Sequence, residues 1–168
     1  MVMGVVSLLV MGALVAADQL IKVLVTNVLP GAGVVTVIPG LLDFRYVQNF
    51  GAAFGMMAGK TWFFLIATSV VCAVLIAGLF VYKKHNWMSY TASILIVAGG
   101  VGNLIDRIVN EGHFVTDYIH VSFFPPVFNF ADILVTLGTI SMVVYVIFFS
   151  NKTRKKGTKP EEKQEETK

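Results

Sequence analysis

The sequence predicts an all-α membrane protein with four transmembrane helices, a small extracytoplasmic β-sheet (a cradle) between the first and second, and both termini in the cytoplasm. Composition is the first observation. Of 168 residues, 56% are hydrophobic and 14% charged, with a mean hydropathy of +0.76, well outside the range of a water-soluble domain. The second is length: four apolar stretches, at about 4–25, 61–82, 88–107 and 130–150, approach the ~20 residues that cross a bilayer. The third is the placement of basic residues. Lys83-Lys84-His85-Asn86 joins the second and third spans and Lys152-Thr153-Arg154-Lys155-Lys156 follows the fourth, and Lys and Arg collect on the cytoplasmic side.

Each element follows from its residues. The first stretch reads as a retained helix. Val15-Ala16-Ala17 resembles a small-residue cleavage site, but Met1 to Val10 holds no Lys or Arg, and apolar residues continue past Asp18 through Val25. The outer sheet and loop occupy 34–57: Val34 to Ile38 is β-branched, Pro39-Gly40 is a turn signal, and Leu41 to Val47 alternates in part. Small residues in Asn49-Phe50-Gly51-Ala52-Ala53-Phe54-Gly55 allow a backbone to approach closely, as at a helix crossing or a substrate groove. The second span carries the single cysteine, Cys72, in an apolar setting that suits packing; one cysteine excludes an internal disulfide and a cysteine zinc site. Gly99-Gly100-Val101-Gly102 in the third span reads as helix packing, because no strand precedes it as a nucleotide-binding loop requires. Residues 1–150 form the membrane domain, and 151–168, rich in Lys and Glu, form a disordered cytoplasmic tail.

Charges in the spans locate the chemistry. Asp117 lies in Val115-Thr116-Asp117-Tyr118, and Asp132 in Phe128-Asn129-Phe130-Ala131-Asp132, directly before the apolar run from Ile133. Carboxylates at membrane depth are costly and mark functional sites, and two that converge resist joint ionisation, so they divide acid and base roles. The topology brings Asp18 and Lys22, four residues apart on one helix face, into the same outer layer as Asn103, Asp106, Arg107 and Asn129. Taken singly, Asp18 with Lys22 or Asp106 with Arg107 reads equally as a snorkelling pair. Two other classes compete. An intramembrane metalloprotease would recruit His113, Asp117 and His120, yet the chain lacks His-Glu-x-x-His. A small ion or solute transporter would run charge through the bilayer, whereas here the inner half of the spans stays apolar. A presenilin-like protease would carry Gly-x-Gly-Asp, and a serine mechanism needs a Ser with a convincing His partner.

Five ordered blocks resemble the motifs of bacterial lipoprotein signal peptidase, or signal peptidase II: Asp18-Gln19-Leu20-Ile21-Lys22, Asn49 to Phe54, Gly102-Asn103-Leu104-Ile105-Asp106-Arg107, Val115 to Tyr118, and Phe128 to Asp132. Thr116, Tyr118 and Phe130 are small departures that touch no reacting group. The resemblance implies an aspartic endopeptidase of the bacterial inner or plasma membrane, multi-pass, with its active site at the outer face. Such an enzyme removes the signal peptide from prolipoproteins just before a diacylglyceryl-modified cysteine and is blocked by globomycin. It implies Asp117 and Asp132 as the catalytic pair and Asp18, Lys22, Asn49, Gly51, Asn103, Asp106, Arg107, Asn129 and Ala131 as supporting or substrate-binding positions. Expected partners are prolipoprotein signal peptides, membrane lipids and globomycin-like inhibitors, with no nucleic acid, no cofactor and no metal.

Overall fold

The computed structural model describes residues 2–51, 60–82 and 85–149. Among the described residues, four helices are long and apolar enough to cross a membrane: α1 (Val2–Ala32), α2 (Thr61–Val81), α3 (Trp87–Val109) and α4 (Phe130–Val144), the last continuing as a π-helical turn over Tyr145–Phe149. Helix α3 is the hub, packing on α1, α2 and α4. Its small residues explain why. A side chain at Gly99 would collide with the Ala131 carbonyl oxygen and stand 2.8 Å from Val135 Cγ2, and one at Gly138 would stand 2.8 Å from the Ile96 nitrogen. Small-residue contacts let helices that gain nothing from hiding apolar surface from lipid approach closely instead. Cys72 sits in the apolar cluster with Met11, Leu79 and Val97, as its neighbours in sequence suggest.

Two helix starts are fixed by reciprocal caps. At α3, Ser89 N donates to Asn86 Oδ1 (2.9 Å) while Asn86 N donates to Ser89 Oγ (3.1 Å). At α4, Asp132 N donates to Asn129 Oδ1 (2.9 Å) and Asn129 N to Asp132 Oδ2 (3.1 Å), so two of the candidate site residues also define a helix terminus. Helix α1 runs seven residues past the expected end at 25. Pro30 falls in its final turn, where it removes one i→i−4 hydrogen bond and helps end the helix, and Gly33, at φ +69°, closes it by donating to Leu29 O.

The sheet differs from expectation. Strands β1 (Val35–Ile38) and β2 (Leu42–Asn49) form the hairpin expected between the first two spans, but β3 (Val115–Val121) and β4 (Phe124–Phe128), from the connection between α3 and α4, complete one antiparallel sheet in chain order. The missed half carries β-branched and aromatic residues broken by Ser122-Phe123, and Pro125-Pro126 falls on the edge strand, where a missing N–H does least harm. Pairing of β2 with β3 sets Val47 opposite Asp117 and Asn49 opposite Val115. The small-residue run beyond Gly51, Lys83-Lys84 and the tail fall outside the described residues.

Candidate active site

Asp117 projects from β3 and Asp132 from the first turn of α4, and two asparagines tie them together. Asn129 Nδ2 donates to Asp117 Oδ1 (2.6 Å) and Asn103 Nδ2 to Asp132 Oδ1 (2.7 Å), while Asn129 Nδ2 also lies 3.2 Å from Asn103 Oδ1. Asn49, at the end of β2, donates to Asp117 Oδ2 at 2.8 Å and accepts from Gly51 N at 2.9 Å. Asn49 therefore contacts one of the aspartates directly, beyond the groove-facing place its loop suggested. Burial, and then the neighbouring Asp132 carboxylate, push Asp117 up to about 7, against the opposing pull of the Asn49 and Asn129 amides. Tyr118 is pushed to about 12, chiefly by burial, so its hydroxyl stays neutral; it accepts from Phe130 N at 3.3 Å.

A second layer lies behind this pair. Lys22 Nζ reaches Asp18 Oδ2 (3.0 Å), Asp106 Oδ2 (3.2 Å) and Asn103 Oδ1 (3.0 Å), which uses all three of its N–H donors. Asp18 is fully buried, and breaking such a charge cluster by removing one member typically costs 3–5 kcal/mol. Asp18 Oδ1 accepts from Ala131 N at 3.1 Å, and Gly102 leaves the room it needs: a side chain there would stand 2.5 Å from Asp18 Oδ2. Asp106 does not pair with Arg107, since consecutive helical residues point apart. Arg107 instead donates to Gly51 O (3.1 Å) and Asn103 O (3.3 Å) and lies over the Phe64 ring. It thereby ties the end of β2 to α2 and α3.

Beside Asp132 opens a cavity of about 570 Å³. Asn49, Gly51, Asn103, Arg107 and Asp132 make its polar end, and Val121, Phe123, Phe124, Val127, Phe128 and Leu137 contribute to a long apolar wall. A volume of this size, mostly apolar with a few convergent polar groups, suits a largely apolar ligand. All the residues singled out in the sequence except Ala131, which contributes its backbone, meet through side chains or line this space. Reading the sequence missed the apolar wall, which rests on β4, and Gln19, whose place beside Asp18 in the first motif was its only signal. His113, Asp117 and His120 do not converge: His113 Nδ1 hydrogen-bonds Arg107 O (2.7 Å) and His120 Nδ1 lies 3.6 Å from Asp43 Oδ2.

The architecture has solved counterparts. A bacterial membrane enzyme solved by the in meso method superimposes with a TM-score of 0.77 at 30% identity, covering 97% of this chain and 94% of that one. A second such structure gives 0.75 at 30% identity, covering 86% and 94%. Fold and site thus define a multi-pass membrane enzyme. The sequence model of signal peptidase II matches residues 10–148. The lipoprotein signal peptidase of Caldanaerobacter subterraneus subsp. tengcongensis is 39% identical over 142 residues, 84% of this chain and 96% of that protein. That of Clostridioides difficile is 37% identical over 150 residues, 88% of this chain and 98% of that protein. The chain belongs to the signal peptidase II family. It is a protease, and its reaction is the removal of signal peptides from prolipoproteins.

Proposed function

We propose that this protease cleaves diacylglyceryl-modified prolipoproteins before the lipidated cysteine, with water activated between Asp117 and Asp132. The observation that carries the reading is the amide bridge of Asn103 and Asn129, which holds two carboxylates from separate elements in one hydrogen-bonded unit. Asp117, raised to about 7, holds a proton in about half of the molecules at neutral pH and serves as the acid. Asp132 lines the cavity and serves as the base.

In this scheme Asp132 takes a proton from water as the water oxygen bonds to the scissile carbonyl carbon, and Asp117 gives its proton to the carbonyl oxygen. The tetrahedral intermediate then collapses as the amine leaves with a proton from Asp132, and the gem-diol returns one to Asp117. The apolar wall receives the signal peptide and acyl chains, and Arg107 and Asn49 hold the polar end. Globomycin would occupy the same cavity. The basic residues at 83–84 and 152–156 support cytoplasmic termini, which sets the sheet and site at the outer face of the bacterial cell membrane.

The test is cleavage of a lipid-modified prolipoprotein by purified protein. Activity should survive EDTA, and Asp117→Asn and Asp132→Asn should each lower kcat at least about 10³-fold while the protein remains monodisperse in detergent. Turnover near the parental rate in either variant refutes the pair; loss of activity in EDTA restores the metal reading.

A further inference from the structure

Behind the proposed catalytic pair stands another carboxylate pair. Asp18 and Asp106 each accept a backbone N–H from the residue just before an aspartate of the front pair: Ala131 N donates to Asp18 Oδ1 at 3.1 Å, and Thr116 N donates to Asp106 Oδ2 at 2.8 Å. The separation of the rear carboxylates is therefore transmitted through one peptide unit on each side to the separation of the front ones. Two groups bridge the rear pair. Lys22 Nζ is one, at 3.0 and 3.2 Å. The other is Gln19, whose Nε2 lies 3.1 Å from Asp18 Oδ2, 3.1 Å from Asp106 Oδ1 and 3.1 Å from Gly102 O.

We propose that Gln19 is a positioning residue for the proposed catalytic pair, its amide setting the spacing of Asp18 and Asp106 and through them that of Asp132 and Asp117. The division of labour between the two bridges follows from their chemistry. Lysine contributes charge, reaching both carboxylates from a flexible stem, and it is also spent on Asn103. Gln19 contributes a planar donor group fixed to α3 through the Gly102 carbonyl, so it selects one distance and one angle. It neutralises no charge, and its removal leaves the charge balance of the Asp18–Lys22–Asp106 cluster intact. What it removes is geometric restraint, and misplacement of reacting groups by about 1 Å can cost 10²-fold in rate.

This inference rests on the reading of Asp117 and Asp132 as the reacting groups. Asp117→Asn is therefore run in parallel: parental turnover in that variant refutes the pair itself, independently of Gln19. Gln19→Met keeps length and volume and deletes both donors. Measured per monodisperse enzyme on a diacylglyceryl-modified prolipoprotein peptide in detergent, kcat should fall roughly ten- to a hundredfold with KM changed less than about threefold. The alkaline limb of the pH profile should also move, because a changed separation alters how the two carboxyls share a proton. The charged and titratable groups around them, Asp18 and Lys22 on α1, Asp106 and Arg107 on α3, and Tyr118 on β3, are the same in parent and variant. Gln19→Glu adds a third carboxyl that retains a donor only when protonated, so its relative activity should recover toward acid pH. A Gln19→Met enzyme with lowered thermal stability but parental kcat and pH profile overturns the proposal. So does failure of both variants to fold, which assigns Gln19 to stability alone.

Discussion

The Asn49 amide offers the sharpest probe of the front pair, because it touches Asp117 Oδ2 at 2.8 Å and opposes the rise in its pKa. Asn49→Ala deletes that donor and leaves Asn129 on the other oxygen. A hydrogen bond to a charged group contributes about 1.5–3 kcal/mol, and the protonated acid retains a weaker version of it. A differential near 1.4 kcal/mol corresponds to about one unit of pKa. The proton on Asp117, held up to about 7 in the parent, should therefore persist about one unit higher in the variant. Under the proposed roles Asp117 must be protonated to donate to the carbonyl oxygen, so the alkaline limb of kcat/KM should move upward by that amount. The assay is prolipoprotein cleavage between about pH 5 and 9, with the limb fitted as a property of the pair. A limb that stays in place, or moves down while the maximal rate merely falls, refutes the assignment of Asp117 as the acid.

Three further outcomes are expected. Because the folded Asp117 carboxyl is raised to about 7, above its ordinary 3.8, the stability it confers is fully present below pH ~4 and is lost as pH rises through about 7. Thermal unfolding in detergent should show that decline, of order a few kcal/mol, and Asp117→Asn should flatten it; an equal slope in both proteins counts against the buried acid. Gly99→Ala should lower Tm by several degrees, since its side chain meets the α4 backbone at Ala131 O and at Val135 N (3.0 Å), an overpacking of about 1–3 kcal/mol; Gly12→Ala, with nothing within 4 Å, is the control that should change little. Reporters fused after Lys84 or Lys156 should be cytoplasmic and one fused at Gly112 external, and the reverse pattern would move the proposed site to the inner face.

Local chemistry was legible in the sequence. Runs of apolar residues set the four spans, and Gly99 and Gly102, read as helix packing, took part in close contacts between helices. The placement of Asp18 and Lys22 one turn apart was enough to pair them at 3.0 Å. These features depend on residues within a turn or two of each other, where helical geometry fixes the outcome.

Only the tertiary structure decided which polar group met which. Asp106 turned to Lys22 on α1 and away from its neighbour Arg107, Asn49 reached Asp117 across the sheet, and Gln19 joined two helices 83 residues apart in the chain. The second hairpin joined the first in one sheet, with Val47 set opposite Asp117. Periodicity fixes which side of an element is apolar, but a hydrogen bond between distant residues depends on helix crossings and strand register. Crossings are set by the close packing of small residues between helices and register by which strand faces are buried, so each depends on several segments at once.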